Sequence, residues 1–209
     1  AQGISAFIVE KGFKGYAVAQ KMIKMGYRGS QTGELIFDDC EVPAENMVGE
    51  ENTGVSGMMS GLDIERAMIA PLCIGKAERA LQLSIEYAKV REQFGKPIGQ
   101  FQMIQQKLAD MYTLIEAMKG LIYRALAAAD NLEAGAGGRG QVHALAASAA
   151  LFGGESVNKV LDHAVQIHGG MGYMWESEIN RLFRATKLLE IGAGTSEVRR
   201  MIIAEELLR

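Results

Sequence analysis

The chain has 209 residues, of which 48% are hydrophobic and 22% charged, a composition typical of a globular protein with a substantial core. Its formal net charge is −3 and no stretch is strongly basic, which argues against nucleic acid and anionic membranes as partners. No apolar run is long enough to cross a bilayer, and the two cysteines, Cys40 and Cys73, suggest a reducing compartment rather than a disulfide framework or a metal cluster.

The first 45 residues carry short strand-like runs separated by turns. We predict strands at residues 4–9, 17–23 and 33–37, with a turn at residues 28–30. Three or four strands with little alternating core cannot form a stable unit alone. We therefore expect residues 1–50 to be the end of a middle β-domain whose first part is absent.

From about residue 52 the chain changes to the periodicity of helices rich in Ala, Leu and Met. Five helices are predicted, the first with a kink at Pro71: residues 53–91, 101–132, 141–167, 176–189 and 196–208. The glycine-rich connection at residues 134–140 does not have the pattern of a phosphate-binding loop, because no strand precedes it and no Gly-Lys-Ser/Thr follows. Long antiparallel helices with short connections form bundles, so we expect a mainly α fold with a helical bundle domain at residues 51–209.

A carboxylate lies in an otherwise apolar stripe of the first predicted helix. Read at helical spacing, one face carries Met58, Leu62, Glu65, Ile69 and Leu72. A carboxylate on such a face is a packing error, a member of a buried ion pair, or a carboxyl group whose pKa is raised for acid–base work. The stripe alone slightly favours an ion pair, with Arg66 or with a cation from another helix.

Five ordered blocks of sequence resemble the acyl-CoA dehydrogenase family, and together they span nearly the whole chain. They are GLDIER at residues 61–66, VREQFGKPI at 90–98, Gln102, QIHGGMGY at 166–173 and IGAGTSEVRR at 191–200. Each block alone is a weak signal, but their order and spacing are specific, and within the family they are most similar to the isovaleryl-CoA dehydrogenase group. The resemblance implies a parent protein of three parts, of which this chain holds the end of the β-domain and the C-terminal helical bundle.

The resemblance also implies a reaction, the FAD-dependent α,β-dehydrogenation of a short or branched-chain acyl-CoA thioester. A carboxylate removes the proton from Cα while Cβ passes a hydride to the flavin. Most family members carry this glutamate at the position of Ala193, whose side chain cannot accept a proton. In the isovaleryl-type and long-chain groups the base occupies the position of Glu65. The stripe and the resemblance therefore single out the same residue, Glu65, and it is the resemblance that implies its role as the catalytic base.

Binding roles follow from the same resemblance. Contacts with the substrate are expected from Asp63, Ile64, Arg66, Ala193 and Gly194. Contacts with FAD are expected from Arg91, Phe94, Gln102, Gln166, Ile167, His168, Gly169, Gly170, Thr195, Ser196 and Glu197. Arg91 is expected to reach the flavin pyrophosphate of a neighbouring subunit.

Several of these residues also have a purely structural interpretation. Arg91 could complement the end of a helix, and Phe94 could belong to the core. Gly169 and Gly170 could cap a helix, and Thr195 or Ser196 could be the N-cap of the last one.

The expected partners are an acyl-CoA substrate, an electron-transfer flavoprotein as electron acceptor, and further copies of the chain in a homotetramer. The resemblance places the protein in fatty acid or branched-chain amino acid catabolism, in a bacterial cytoplasm or the mitochondrial matrix. The spacing of His143, His163 and His168 suits no metal site, so none is expected.

Three alternatives remain open. The chain could be a catalytically silent oligomerisation fragment, or a flavin oxidase that passes electrons to O₂. It could also act on longer acyl chains, because Ser56 is smaller than the aromatic residue that isovaleryl-type enzymes tend to carry there.

Overall fold

The computed structural model describes residues 3–131 and 140–209, apart from the side chains of Ser60 and Asp63. Strands occupy its first part and helices the rest, which confirms the mainly α fold. The predicted glycine-rich connection lies outside the described residues except for Gly140.

Two small antiparallel sheets form the strand region. β1 (Ala6–Phe7) pairs with β4 (Met47–Val48), and β2 (Tyr16–Met22) pairs with β3 (Thr32–Phe37). The predicted strands at residues 17–23 and 33–37 are therefore confirmed to within one residue. The strand predicted at residues 4–9 has only two paired residues, because β4, which the sequence analysis missed, is equally short.

Seven helices follow in the described part of the chain. They are α1 (Gly54–Ile69), α2 (Pro71–Val90), α3 (Gln102–Ala129), α4 (Gln141–His168), α5 (Gly170–Tyr173), α6 (Glu178–Thr186) and α7 (Ser196–Leu207). The predicted kink at Pro71 is the start of α2, where a proline, lacking a backbone N–H, is well tolerated.

The predicted helix boundaries differ from the structure at three places. The predicted break at residues 95–99 contains part of a hairpin of β5 (Glu92–Gln93) and β6 (Lys96–Pro97). The predicted helix at residues 101–132 ends earlier, at Ala129. The helix predicted at residues 176–189 divides into α6 and the 3₁₀ turn Lys187–Glu190.

Helix α4 is the centre of the bundle and packs against α1, α2, α3, α6 and α7. Its buried face is made largely of small residues: Ala146, Ala147, Ala149, Ala150, Gly153, Gly154 and Ala164. Larger side chains of α3 supply the volume, and they are almost completely buried: Met111, Ile115, Met118 and Ile122. Small residues on one helix facing large ones on the next allow close packing without voids.

The strand region is attached to the bundle through an aromatic residue and two arginines. The guanidinium groups of Arg28 and Arg184 lie over the ring of Trp175, at 4.5 and 3.8 Å from its centroid. Arg184 also donates from Nη1 to the carbonyl of Met25 at 2.9 Å. Cation–π contacts and a charge-assisted hydrogen bond therefore join residues 25–28 to α6.

One packing prediction concerns Gly172, where α5 meets the end of α4. A Cβ added there would lie 2.7 Å from the carbonyl oxygen of Val165 and 2.9 Å from Cβ of His168. We expect Gly172→Ala to lower the free energy of unfolding by roughly 1–3 kcal/mol. Gly120→Ala is the control, because a Cβ there meets nothing within 4 Å, and it should stabilise by about 1 kcal/mol or less. Denaturant titration measures both, and wild-type stability of Gly172→Ala would contradict this account.

Candidate active site

A buried arginine connects α1 to the turn that precedes α7. Arg66 is only 3% exposed, and its Nε donates to the carbonyl oxygen of Ala193 at 3.1 Å. Glu65, the residue before Arg66, is exposed. The residue predicted as the base therefore lies next in sequence to one that contacts position 193, where most family members are expected to carry the base.

Three of the five stripe residues, Met58, Glu65 and Leu72, are exposed, which corrects the burial expected from their spacing, while the half-buried Ile69 packs against the core. Met58 is 60% exposed and Leu72 is 46% exposed. The face of α1 and α2 that the bundle buries is instead Arg66, Ala67, Ala70, Cys73, Ile74 and Ala77. Small alanines allow these helices to approach α4 closely, so the larger side chains remain on the outside. Glu65 is thus an accessible carboxylate on an exposed apolar face.

The backbone of the turn at residues 191–195 has an unusual conformation. Ala193 has φ 55° and Gly194 has φ 96°, both in the left-handed region. An alanine there is strained unless its surroundings hold it in place, and the hydrogen bond from Arg66 supplies part of that restraint. The side chain of Ile64 is 53% exposed, and that of Asp63 lies outside the described residues.

Helix α7 begins immediately after this turn. Thr195 is its N-cap and accepts a hydrogen bond from the backbone N–H of Val198 at 3.4 Å. The pKa of the Glu197 carboxyl is lowered by its own backbone N–H and by the Thr195 hydroxyl. Ser196 is 6% exposed, yet its Oγ has no hydrogen-bond partner among the described residues. A buried hydroxyl without a partner at a helix N-terminus suits an anionic or polar ligand.

A second cluster lies at the C-terminal end of α4, around a cavity of about 580 Å³. Five of the residues predicted to bind the cofactor line it: Arg91, Ile167, His168, Gly169 and Gly170. Gly169 caps α4 with φ 56°, as the structural interpretation requires. A Cβ at Gly169 or Gly170 would meet nothing within 4 Å, so packing within the chain does not require a residue without a side chain at either position.

His168 is held in one orientation inside this second cluster. Its ring stacks on Tyr87, with centroids 4.5 Å apart and an interplanar angle of 22°. Its Nδ1 is 2.8 Å from the carbonyl oxygen of Ala164, which can only accept, so Nδ1 carries the proton and Nε2 remains an acceptor. Burial lowers the pKa of His168, and the bond to Ala164 opposes that shift only in part.

The hairpin of β5 and β6 extends from the second cluster into solvent. Phe94 is 91% exposed and has φ 54°, and Gly95 has φ 78°, as in a two-residue hairpin turn. Phe94 is therefore not a core residue, which corrects the structural alternative. Arg91 is exposed and makes no ion pair within residues 3–131 and 140–209. Gln102 and Gln166 are also exposed, and neither lines the cavity.

The predicted site residues therefore form two groups. One comprises Glu65, Arg66 and residues 193–197, and the other surrounds Arg91 and His168. The cavity of the second group includes no residue of the first. A larger cavity, of about 910 Å³, lies between α3, α4 and α6, and no predicted site residue lines it.

Among the described residues, no group of three or more His, Cys, Asp and Glu side chains is placed to hold a metal ion. The helices of the described part are too short or too polar to span a bilayer.

The environment of His168 leads to a prediction about pH. Because burial lowers its pKa in the folded chain, the unfolded chain binds the proton first as the pH falls. The free energy of unfolding should therefore decrease as the pH falls through the unfolded value of about 6.5. An NMR titration should give a pKa for His168 below its ordinary value. Tyr87→Ala should move that pKa back toward the ordinary value, and Tyr112→Ala, on α3, is the control. An ordinary or raised pKa in the wild type would contradict the proposed desolvation.

Comparison with known proteins identifies the family. Residues 52–208 match the model of the acyl-CoA dehydrogenase C-terminal domain. The chain is 48% identical to the mitochondrial isovaleryl-CoA dehydrogenase of Oryza sativa subsp. japonica over 210 residues, covering 100% of this chain and 49% of that protein. The chain thus spans about half the length of the curated relatives it matches.

Solved structures agree with this assignment. A probable acyl-CoA dehydrogenase from Mycobacterium abscessus superposes with a TM-score of 0.93 at 36% identity, over 99% of this chain and 53% of that one. The butyryl-CoA dehydrogenase of Megasphaera elsdenii gives 0.87 at 41% identity, over 100% and 52%. The chain belongs to the acyl-CoA dehydrogenase family, and its residues 52–208 correspond to the C-terminal domain of that family.

Proposed function

We propose that this chain is part of an FAD-dependent acyl-CoA dehydrogenase and carries its catalytic base, Glu65. The observation that carries the proposal is the hydrogen bond from Arg66 to Ala193. It joins the helix that bears Glu65 to the turn where most members of the family carry the base. Two alternative positions for one carboxylate thus lie on segments in direct contact. The full-length protein, meaning the polypeptide that carries this chain, is the object of the experiments below.

Three residues of the first group have a role in this reaction: Glu65, Arg66 and Ala193. The carboxylate of Glu65 takes the proton from Cα, and negative charge develops on the thioester oxygen as that proton leaves. The buried cation of Arg66 favours negative charge nearby. A bound FAD would supply the acceptor for the hydride that leaves Cβ, so that a double bond forms between Cα and Cβ. Ala193 carries no carboxylate, so at the position where most members of the family are expected to have the base this chain has none.

The exposed apolar face beside Glu65 suits an aliphatic acyl chain. Met58 and Leu72 lie seven residues before and after Glu65, and Met68 lies three residues after it, so all face the same side. Their exposed fractions are 60%, 46% and 63%. Flexible methionine side chains adapt to branched as well as straight chains. We propose a short or branched-chain acyl-CoA as substrate, with a longer chain as the alternative.

Both residue groups fit an FAD molecule, each in a different way. The α7 N-terminus offers a helix dipole, and the buried Ser196 Oγ lacks a partner in the described part of the chain. The second group offers the guanidinium of Arg91, which makes no ion pair with the described residues, and the cavity beside Gly169 and Gly170. Because that cavity excludes residues 193–197, we propose that the two groups serve different FAD molecules. Arg91 would then contact the cofactor of a neighbouring copy in a homotetramer.

The proposed electron acceptor and cellular location follow from membership of the family. Electrons would leave through an electron-transfer flavoprotein rather than to O₂. The rice relative is named as a mitochondrial protein, and we propose the mitochondrial matrix or a bacterial cytoplasm as the location.

The role of Glu65 is tested by replacing it with the matching amide in the full-length protein. Glu65→Gln keeps the shape but cannot accept the α-proton, so kcat should fall by about 10²–10⁴-fold while flavin content is retained. Glu86→Gln, an exposed carboxylate on α2, is the matched control. Adding Ala193→Glu to Glu65→Gln should restore part of the activity. Retention of more than roughly a tenth of the wild-type kcat by Glu65→Gln would exclude it as the base.

The role of Arg91 is tested by flavin retention. Arg91→Lys keeps the charge but loses the planar fork that suits a pyrophosphate. The flavin dissociation constant should therefore rise by about 10–100-fold, as expected for a lost charged hydrogen bond. Arg124→Lys, an exposed arginine on α3, should bind flavin as the wild type does. Equal flavin affinity in Arg91→Lys would contradict a forked contact between the Arg91 guanidinium and the pyrophosphate.

A further inference from the structure

Arg199 of α7 is a buried cation whose described partners are all backbone carbonyls. It is 0% exposed. Its Nη1 donates to the carbonyl oxygens of Ala150 at 2.9 Å and Leu189 at 2.8 Å, and its Nη2 donates to that of Gly192 at 2.6 Å. In the described part of the chain it makes no ion pair, and its Nε has no partner. A buried charge is costly, so a position that retains one calls for an explanation beyond stability.

Two of these three carbonyls belong to the segment that leads into the active-site turn. Arg199 holds Gly192, and Arg66 holds the next residue, Ala193. Two consecutive carbonyls are therefore bound by guanidinium groups from two different helices, α7 and α1. Because the peptide group is planar, fixing a carbonyl also fixes the direction of the N–H on the same peptide. The left-handed conformation of Ala193 is thereby restrained from both sides.

The opposing helix leaves room for this arrangement. Gly154 of α4 lies against the segment, and a Cβ added there would be 2.7 Å from the carbonyl oxygen of Leu189 and 3.4 Å from Nη1 of Arg199. The first of these contacts is with backbone, so the segment would have to move. The close approach at Gly154 is independent of the hydrogen bonds of Arg199, yet it places the same segment.

We propose that Arg199 is a positioning residue of the active site: its guanidinium fixes residues 189–194 and so keeps the turn at Ala193 and Gly194 in place beside the Glu65 helix. It cannot touch the substrate, because it is fully buried. Its effect on turnover rests on the proposed function, but its effect on the turn does not. The sequence motif contains Arg199, yet no role followed from it, because its partners are carbonyls that only the fold brings together.

The experiment compares Arg199→Lys with Arg200→Met in the full-length protein. Lysine keeps the charge but cannot span three carbonyls as a planar fork does. Arg200 is the next residue of α7, and its side chain is half exposed in an ion pair with Glu155, so its loss should leave the turn intact. Gly154→Ala displaces the same segment from the other side and serves as a second variant if Arg199→Lys does not fold.

The first readout is amide hydrogen exchange, which needs no activity. In Arg199→Lys or Gly154→Ala, exchange in residues 189–194 should accelerate by at least about tenfold, while α3 keeps its wild-type rates. Arg200→Met should match the wild type throughout. Unchanged exchange in the segment would overturn the proposal, and so would an equal acceleration in all helices, which would show that Arg199 only stabilises the fold.

The second readout is turnover of isovaleryl-CoA. A displaced turn should lower kcat by roughly 10–10²-fold, while flavin content and KM stay close to wild-type values. If the local exchange changes but kcat does not, Arg199 is not a positioning residue and the proposal fails. If the wild type itself neither binds flavin nor turns over, the proposed function fails, and the exchange result still decides whether Arg199 fixes the turn.

Discussion

The bundle depends on the small residues of α4. Five helices pack against this one helix, and its buried face is mostly alanine and glycine. Such a surface contributes little volume, so the neighbouring helices must come close and supply the large side chains themselves. Gly154 is the most demanding position of that face, because the segment before α7 passes directly over it. Close packing in the core therefore determines where the turn at residues 191–195 can lie.

Hydrogen bonds from charged groups then fix the backbone conformation of this turn. The two arginines nearest the proposed site, Arg66 and Arg199, are both buried, and both bind backbone carbonyls. Glu65, by contrast, is exposed on the outer face of α1. This division suits the proposed chemistry, since a base must reach its substrate while the groups that orient the backbone do not have to. The direct contact between α1 and the turn is also what the proposed function requires, because that proposal puts the base on α1 here and on the turn in most members of the family.

Periodicity in the sequence located the long helices, because each has apolar residues at regular intervals, but it joined α1 to α2 and missed the short helix α5. It was less reliable for the ends of strands, because the length of a strand depends on the strand that pairs with it. β1 has only two paired residues because its partner β4 is equally short. The stripe around Glu65 shows a specific limit. Spacing identified an apolar face correctly but could not tell whether the bundle covers it. Small alanines on the adjacent face, Ala67 and Ala70, form the buried side instead. Size complementarity with α4, rather than hydrophobicity, decides between the two faces.

Side-chain partners across the fold lay beyond the sequence. Motif resemblance gave eleven FAD contacts as one set, and the structure places five of them around one cavity: Arg91, Ile167, His168, Gly169 and Gly170. His168 stacks on Tyr87, which is 81 positions away in the sequence, and Arg199 binds the carbonyl of Ala150, which is 49 positions away. No local sequence pattern encodes contacts between residues so far apart.

The most direct test of the proposed function is anaerobic mixing of the full-length flavoprotein with isovaleryl-CoA, followed by the absorbance of the bound flavin. If the protein is an acyl-CoA dehydrogenase, the oxidised flavin should lose its colour without any other electron acceptor, and the product should be the α,β-unsaturated thioester. A protein that retains FAD and binds the acyl-CoA, yet leaves the flavin oxidised with isovaleryl-CoA, butyryl-CoA and longer chains alike, would contradict the account.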